Sequence, residues 1–329
     1  MEAMNKTHSD QKSKKRLCLE HIDSNARAKR KGMTDRWIER NTCSLKGKTV
    51  AISGSTGGLG RELCAYLAEL GADLILLDRN QKLSLSHRDK LLSENGGIRV
   101  TCIPLQLDDP HSVHSAAEEL KHHPVDVFIS NAGAYSIPRR VCDSGYDNVF
   151  QINFVSPYII INELMPLLRQ RQGRVVIVGS VAHRYSKSDP TDIDFSTRHK
   201  ASLVYGNSKR YLMFTLAEMF VHEPHVGFAV THPGITFTNI TAHYPKLIFA
   251  LIKHPMKIIF PSPKTACLSV LRGVFEDTHG CEWIGPRLFD VWGLPKKKEL
   301  RVSDAELEFF SRFNIEWAER KENAEKGLS

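Results

Sequence analysis

Glycines at 54, 58 and 60 follow the short apolar run Val50-Ala51-Ile52, and leucines recur from there at 59, 63, 67 and 70. No other stretch limits the possible folds so tightly. The apolar run suits a strand covered on both faces, and the leucine spacing puts one greasy stripe on a helix that lies against a sheet. Without a Cβ, a glycine backbone can turn sharply and come close to a phosphate, while the unpaired N–H groups of a helix start face that negative charge. Strand, glycine turn and helix in this order predict a dinucleotide crevice. Gly54, Ser55, Thr56, Gly58, Leu59 and Gly60 would line its phosphate side.

The rest of the composition narrows the class. At 329 residues and 41% hydrophobic content the chain can bury a large core. Its net charge of +8 invites a nucleic-acid reading, but residues 1–45 hold eleven Lys or Arg against six Asp or Glu and so account for most of the excess. A solvated basic extension is expected, with no nucleic-acid partner. Seven scattered cysteines without a CxxC pair fit reduced thiols in a cytoplasmic protein and give no metal site. No apolar segment reaches the roughly 20 residues of a membrane span, and the polar start is no signal peptide.

From Lys46 onward short apolar runs alternate with helical stretches, which predicts an α/β fold: a doubly wound parallel sheet in one domain, 46–300. An N-terminal basic extension, 1–45, and a C-terminal helical tail, 301–329, would flank it. Strands are expected near 49–53, 73–78, 98–105, 126–130, 174–179, 226–231 and 280–284. Helices are expected over 59–70, 82–94, 110–121, 146–170, 201–221 and 263–276, with others within 10–31 and around Trp37 and Ile38. Ser303 and Glu306 form a capping-box pattern at the start of the tail, where Leu307, Phe310, Asn314 and Trp317 share one face.

Two places carry chemistry. Asp78, 18 residues beyond Gly60, can accept hydrogen bonds from an adenosine ribose, whereas Arg79 beside it could pair with a 2′-phosphate. The strand-end carboxylate favours NAD(H) over NADP(H). Farther on, Tyr205 and Lys209 are spaced i, i+4, so one helical face brings an ammonium near a phenol. A nearby cation moves a phenol's pKa of about 10 toward working pH, where it can act as general acid or base at an alcohol or carbonyl. Ser180, the Ser130-Asn131-Ala132-Gly133 segment, Asn153 and the Pro233-to-Thr238 segment complete the set.

With these motifs in this order, roughly residues 46–300 resemble the short-chain dehydrogenase/reductase family, with a retinol-dehydrogenase-like or hydroxysteroid-dehydrogenase-like member as the nearer comparison. The resemblance implies Tyr205 as catalytic acid/base and Lys209 as its pKa-lowering partner and a ligand of the nicotinamide ribose. Ser180 would orient the substrate oxygen, and the Asn153 backbone would hold a relay water. Asn131, Ala132 and Gly133 would line the adenosine side, Pro233, Gly234 and Thr236 would also bind the cofactor, and Thr238 would hold its carboxamide or phosphate side. Gln106 and Leu107 fall where many members place an aspartate against the adenine. Ser180 and Tyr205 are also 25 residues apart, about twice the common separation. The extra segment, 183–202, resembles the longer loop of retinol-dehydrogenase-like members.

Residues 237–260 are rich in apolar side chains interspersed with Lys246, Lys253 and Lys257. They suit a lid over a hydrophobic substrate, a core helix or a dimer contact, and the lysines also permit shallow contact with an anionic membrane. His222-Glu-Pro-His225 lacks zinc-protease spacing and reads as a helix end; His183 reads as a loop histidine within reach of a substrate. The resulting expectation is an NAD(H)-linked oxidoreductase acting on CH–OH of a small hydrophobic substrate, first of all a hydroxysteroid. It would work as a homodimer or homotetramer. The alternative is a catalytically silent dinucleotide sensor on the same fold.

Overall fold

The computed structural model describes residues 32–234 and 261–327, with side chains as far as residue 319. The helix expected within 10–31, the apolar segment 237–260, Thr236 and Thr238 lie outside the described residues. Among those described, eight strands form one sheet in the order β3-β2-β1-β4-β5-β6-β7-β8. They are β1 (Thr49–Ser53), β2 (Asp73–Asp78), β3 (Val100–Pro104), β4 (Val125–Ser130), β5 (Arg174–Val178), β6 (Gly227–Thr231), β7 (Glu282–Leu288) and β8 (Trp292–Glu299). Pairing is parallel from β3 across to β7, and only β7 with β8 is antiparallel.

Helices cover both faces, as the fully buried strand β1 requires. On one face lie α1 (Met33–Asn41), α2 (Gly58–Glu69), α3 (Gln81–Glu94) and α7 (Pro263–Phe275). On the other lie α4 (Pro110–Lys121), α5 (Ser156–Arg171), α6 (Ala201–Val221) and α8 (Asp304–Gly327). The period-two alternation of a strand sorts the apolar side chains: Ala51 joins the second core, while Val50 and Ile52 join the first.

Four boundaries differ from expectation for physical reasons. Trp37, Ile38 and Leu45 are buried in the same core as β1, so the core begins before residue 46. The helix expected over 146–170 enters as a three-residue turn and then a π turn, Gln151–Val155, where the Ser156 N–H bonds back to the Gln151 carbonyl. Pro157 is the cause at hand, because it has no N–H to give the Asn153 carbonyl four residues earlier. Strand β8 escaped notice because its pairing places Pro295 opposite Pro286 and its outer half is a lysine run, the composition of a protected edge. At the start of α8 the Ser303 hydroxyl accepts the Glu306 N–H at 3.4 Å, but the Glu306 carboxylate goes to Arg210 instead of returning to Ser303. Only half of the capping box forms.

Helix α8 docks on α5 and α6 through rings. Phe310 is fully buried, stacks on Phe214 with centroids 5.8 Å apart and stands perpendicular to Tyr211 at 5.3 Å. Asn314 accepts the Tyr158 hydroxyl at 2.7 Å and donates to the Thr215 carbonyl at 3.0 Å. Phe310→Ala should therefore cost about 3 to 5 kcal/mol, the range for a large aromatic removed from a core. Urea unfolding of the purified variant measures it, and a loss below about 1 kcal/mol would mean that the helix adds little packing.

Candidate active site

The glycine turn after β1 is held by contacts that admit little substitution. A Cβ on Gly60 would sit 2.2 Å from the Gly54 carbonyl oxygen, so only a glycine lets the first turn of α2 close onto the strand end. Gly57 is the N-cap and supplies no side-chain cap, which leaves the N–H groups of the first turn, from Gly58 and Leu59 on, facing the crevice. From β4 the Asn131 side chain donates to the Ser53 and Gly54 carbonyls, both at 3.0 Å. The Ser53 hydroxyl accepts the Asn131 and Ala132 N–H groups at 3.1 Å. Ser53 thus completes the turn.

Asp78 is placed differently from the ribose-binding role expected of it. The residue is 3% exposed, and its carboxylate accepts the Ser55 hydroxyl at 2.5 Å, the Ser84 hydroxyl at 2.9 Å, and the Thr56 N–H and hydroxyl at 3.1 and 2.9 Å. Four donors saturate a carboxylate. Asp78, Ser55 and Thr56 therefore brace the turn from within, and Arg79, exposed immediately after, is the charged group at the strand end that faces outward. Gln106 is exposed on the loop after β3, its N–H given to the Ser112 hydroxyl at 2.9 Å, and Leu107 is buried beside it.

The residues expected to be catalytic come together at the carboxyl ends of β4 and β5. Ser180 caps the 3-10 turn Val181–Tyr185 by accepting the Ala182 N–H at 3.2 Å, and its side chain lies within reach of the Tyr205 phenol on α6. One turn along α6, the Lys209 amine lies 5.9 Å from the Tyr205 ring centre and donates to the Val178 carbonyl at 2.8 Å. Asn153 clamps the strand-end loop: its carbonyl accepts the Ala134 N–H at 2.9 Å, and its amide donates to the Ala134 carbonyl at 2.8 Å and to the Ser208 hydroxyl at 3.1 Å. Gly133 lies where a Cβ would meet the Asn153 oxygen at 2.8 Å and the Lys209 amine at 3.5 Å, so its bareness keeps those two groups together. Gly234 closes the described edge after β6, next to Pro233.

Protonation differs from the i, i+4 expectation. Burial pushes the half-buried Tyr205 phenol up to about 12, against the pull of the Ser180 hydrogen bond and with a further push from Tyr135. Burial also pulls Lys209 down to about 8. Desolvation thus outweighs the lysine's attraction for the phenolate, and the phenol keeps its proton. Tyr135, edge-on to Tyr205 with centroids 5.2 Å apart, was not legible in any spacing. Ser208 lies between Tyr205 and Lys209 in sequence, and its hydroxyl's link to Asn153 emerges only in the fold.

His183 is no loose loop residue. It is 1% exposed, its Nδ1 lies 2.6 Å from the Ser180 carbonyl, and its ring stands edge-on to Phe214 and Trp283. His232, 2% exposed, stacks on Trp283 with centroids 4.9 Å apart. No cluster of three or more metal-ligating side chains occurs among the described residues, and none of the helices among them is long and apolar enough to cross a membrane. Cys64, Cys102, Cys142, Cys267 and Cys281 are free thiols.

Comparison with known proteins agrees with this arrangement. A family model described as short chain dehydrogenase matches residues 48–246. A dehydrogenase/reductase SDR family member of Arabidopsis thaliana, FEY, is 30% identical over 243 residues, covering 69% of this chain and 64% of its own length. The chain thus spans less than two thirds of that relative. Retinol dehydrogenase 14 of Mus musculus is 28% identical over 256 residues, covering 70% of this chain and 76% of its own. Among solved structures, a short-chain dehydrogenase from Sphingobium yanoikuyae in complex with NADPH superposes with a TM-score of 0.53 at 20% identity, covering 69% of this chain and 84% of that one.

The two buried histidines give the fold an acid-side weakness. Burial holds both near 4, below the 6.5 of an exposed imidazole. Between those values the unfolded chain binds protons that the folded chain refuses, so the stabilisation is complete above pH 6.5 and is lost as pH falls toward 4. Each ring accounts for up to about 3 kcal/mol across that range. Calorimetric melting points should fall between pH 6.5 and 5, and His183→Asn should reduce that slope by about half; an unchanged slope would contradict the assignment.

Proposed function

This chain belongs to the short-chain dehydrogenase family, and from that premise we propose that it is an oxidoreductase interconverting an alcohol and a carbonyl on a small hydrophobic substrate with a nicotinamide dinucleotide. The observation that carries the proposal is the Tyr205 phenol set within reach of Ser180 and one turn from Lys209, whose amine lies beside Gly133 at the carboxyl edge of the sheet. Open parallel sheets bind ligands at that edge. The dinucleotide supplies hydride transfer when bound. Gly54, Gly58, Leu59 and Gly60 would hold its phosphates, Asn131 to Gly133 its middle, and Lys209 its nicotinamide ribose.

The side chains contribute a proton and its placement. Ser180 donates to the substrate oxygen, and Tyr205 gives a proton to that oxygen as a carbonyl is reduced or takes it back as an alcohol is oxidised. A phenol raised to about 12 is protonated at neutral pH, which suits the donor in carbonyl reduction. Lys209, near 8, is largely charged there and favours the phenolate left behind.

Cofactor choice turns on the end of β2. Because Asp78 spends all four acceptor positions inside the turn while Arg79 stands exposed, the site fits a 2′-phosphate, and we assign NADP(H) in place of the NAD(H) first expected. A substrate of steroid or retinoid size completes the proposal, the likeness to a retinol dehydrogenase standing beside the steroid expectation. A cytoplasmic setting and a homo-oligomeric state remain parts of it, to be checked by cell fractionation and light scattering.

Parallel assays of NADPH and NADH against retinal, ketosteroids and small ketones test the whole. Tyr205→Phe should lower kcat by about 100-fold or more while dinucleotide binding, read by fluorescence, persists. Arg79→Ala should raise KM for NADPH about tenfold and leave that for NADH within about twofold. Wild-type turnover in Tyr205→Phe would remove the enzyme assignment, and an equal effect on both nucleotides would remove the 2′-phosphate assignment.

A further inference from the structure

A buried chain of polar contacts runs from the C-terminal helix to the active-site serine. Glu306, in the first turn of α8, takes the fork of Arg210 through both carboxylate oxygens, the Nε contact measuring 2.6 Å. Arg210 is 6% exposed and follows Lys209 on α6. Its Nη1 donates to the His183 carbonyl at 3.0 Å. The His183 ring then reaches the Ser180 carbonyl at 2.6 Å, and since a carbonyl only accepts, Nδ1 carries the proton. Each joint is geometrically constrained: a guanidinium binds a carboxylate in one plane, and the imidazole is wedged between Phe214 and Trp283. Burial alone would raise the Glu306 carboxyl, yet the Arg210 hydrogen bond and charge, with help from the Ser188 backbone and Lys187, hold it below its usual range. The pair is therefore charged at neutral pH.

None of these three side chains touches a reacting group. We infer that His183, Arg210 and Glu306 are positioning residues, through which the docking of helix α8 sets the orientation of Ser180 toward Tyr205. The inference rests on the proton-transfer roles proposed above for those two residues. Charge serves here to fix geometry: one Arg210 side chain joins the start of α8 to the His183 carbonyl, and its planar fork holds a joint that apolar packing would allow to slide. An error of about 1 Å in a catalytic hydroxyl costs on the order of 100-fold in rate, so even a partial loosening is measurable.

The test is a double-mutant cycle with NADPH and the best carbonyl substrate. Glu306→Gln should lower kcat about tenfold, with KM within about twofold and no shift in the pH profile. Placed on Ser180→Ala, the same substitution should lower kcat by less than about twofold, because the group it positions is gone. Arg210→Lys, which keeps the charge and loses the fork, should resemble Glu306→Gln; His183→Asn, which keeps a donor, should retain more activity than His183→Leu. Independently of turnover, amide exchange across 181–185 should quicken about tenfold in Glu306→Gln and stay unchanged at 49–60. Equal losses with and without Ser180, or unaltered exchange at 181–185, would overturn the inference. Full activity in Tyr205→Phe would instead overturn the enzymatic assignment and leave the exchange result standing.

Discussion

The approach of Gly60 to the Gly54 carbonyl sets the geometry of the whole edge. Because the helix start lies directly against the strand end, α2 covers β1 closely and the N–H groups of its first turn are left without a side-chain cap. A bulkier residue would lift α2 away from Val50 and Ile52 and uncover one face of that two-sided strand. The crevice is thus a by-product of tight packing. What fills it is decided by the charges at its rim.

Those charges show why part of the site was legible in the sequence and part was not. Spacing reveals periodicity, so the strands buried on both faces and the long helix 201–221 were found with little error. Spacing is silent on which way a strand-end carboxylate turns. Asp78 and Arg79 are adjacent, and only the fold shows that three hydroxyls and an N–H converge on the first while the second is left in solvent. The half-formed capping box repeats the lesson. Glu306 fits the local pattern, but a buried guanidinium 96 residues away competes for its carboxylate and wins, since a bidentate charged pair is stronger than one bond to a backbone N–H.

The tyrosine was read in one dimension too. Counting four residues to Lys209 predicts attraction between ammonium and phenolate, and the two groups do share a helical face. The same packing that brings them together removes water from both, and desolvation opposes charge on each: the phenol rises and the ammonium falls. Burial is a property of β5, α6 and the loops around them together. No i, i+4 count contains it.

Viewed through its cores, the candidate site is a junction. The glycine turn is anchored in the core formed by α1, α2, α3 and α7, while Tyr205, Lys209 and Asn153 are carried by elements packed into the other core with α8. The two halves meet where β1 pairs with β4, through the Asn131 side chain on the Gly54 carbonyl and through the open space that Gly133 leaves for Asn153 and Lys209. A doubly wound sheet makes this junction unavoidable, because its central strands face both cores at once. It also explains why a helix at the far end of the chain can matter to the serine. Whatever seats α6 seats that half of the candidate site, and Phe310, Asn314 and Glu306 all grip α6.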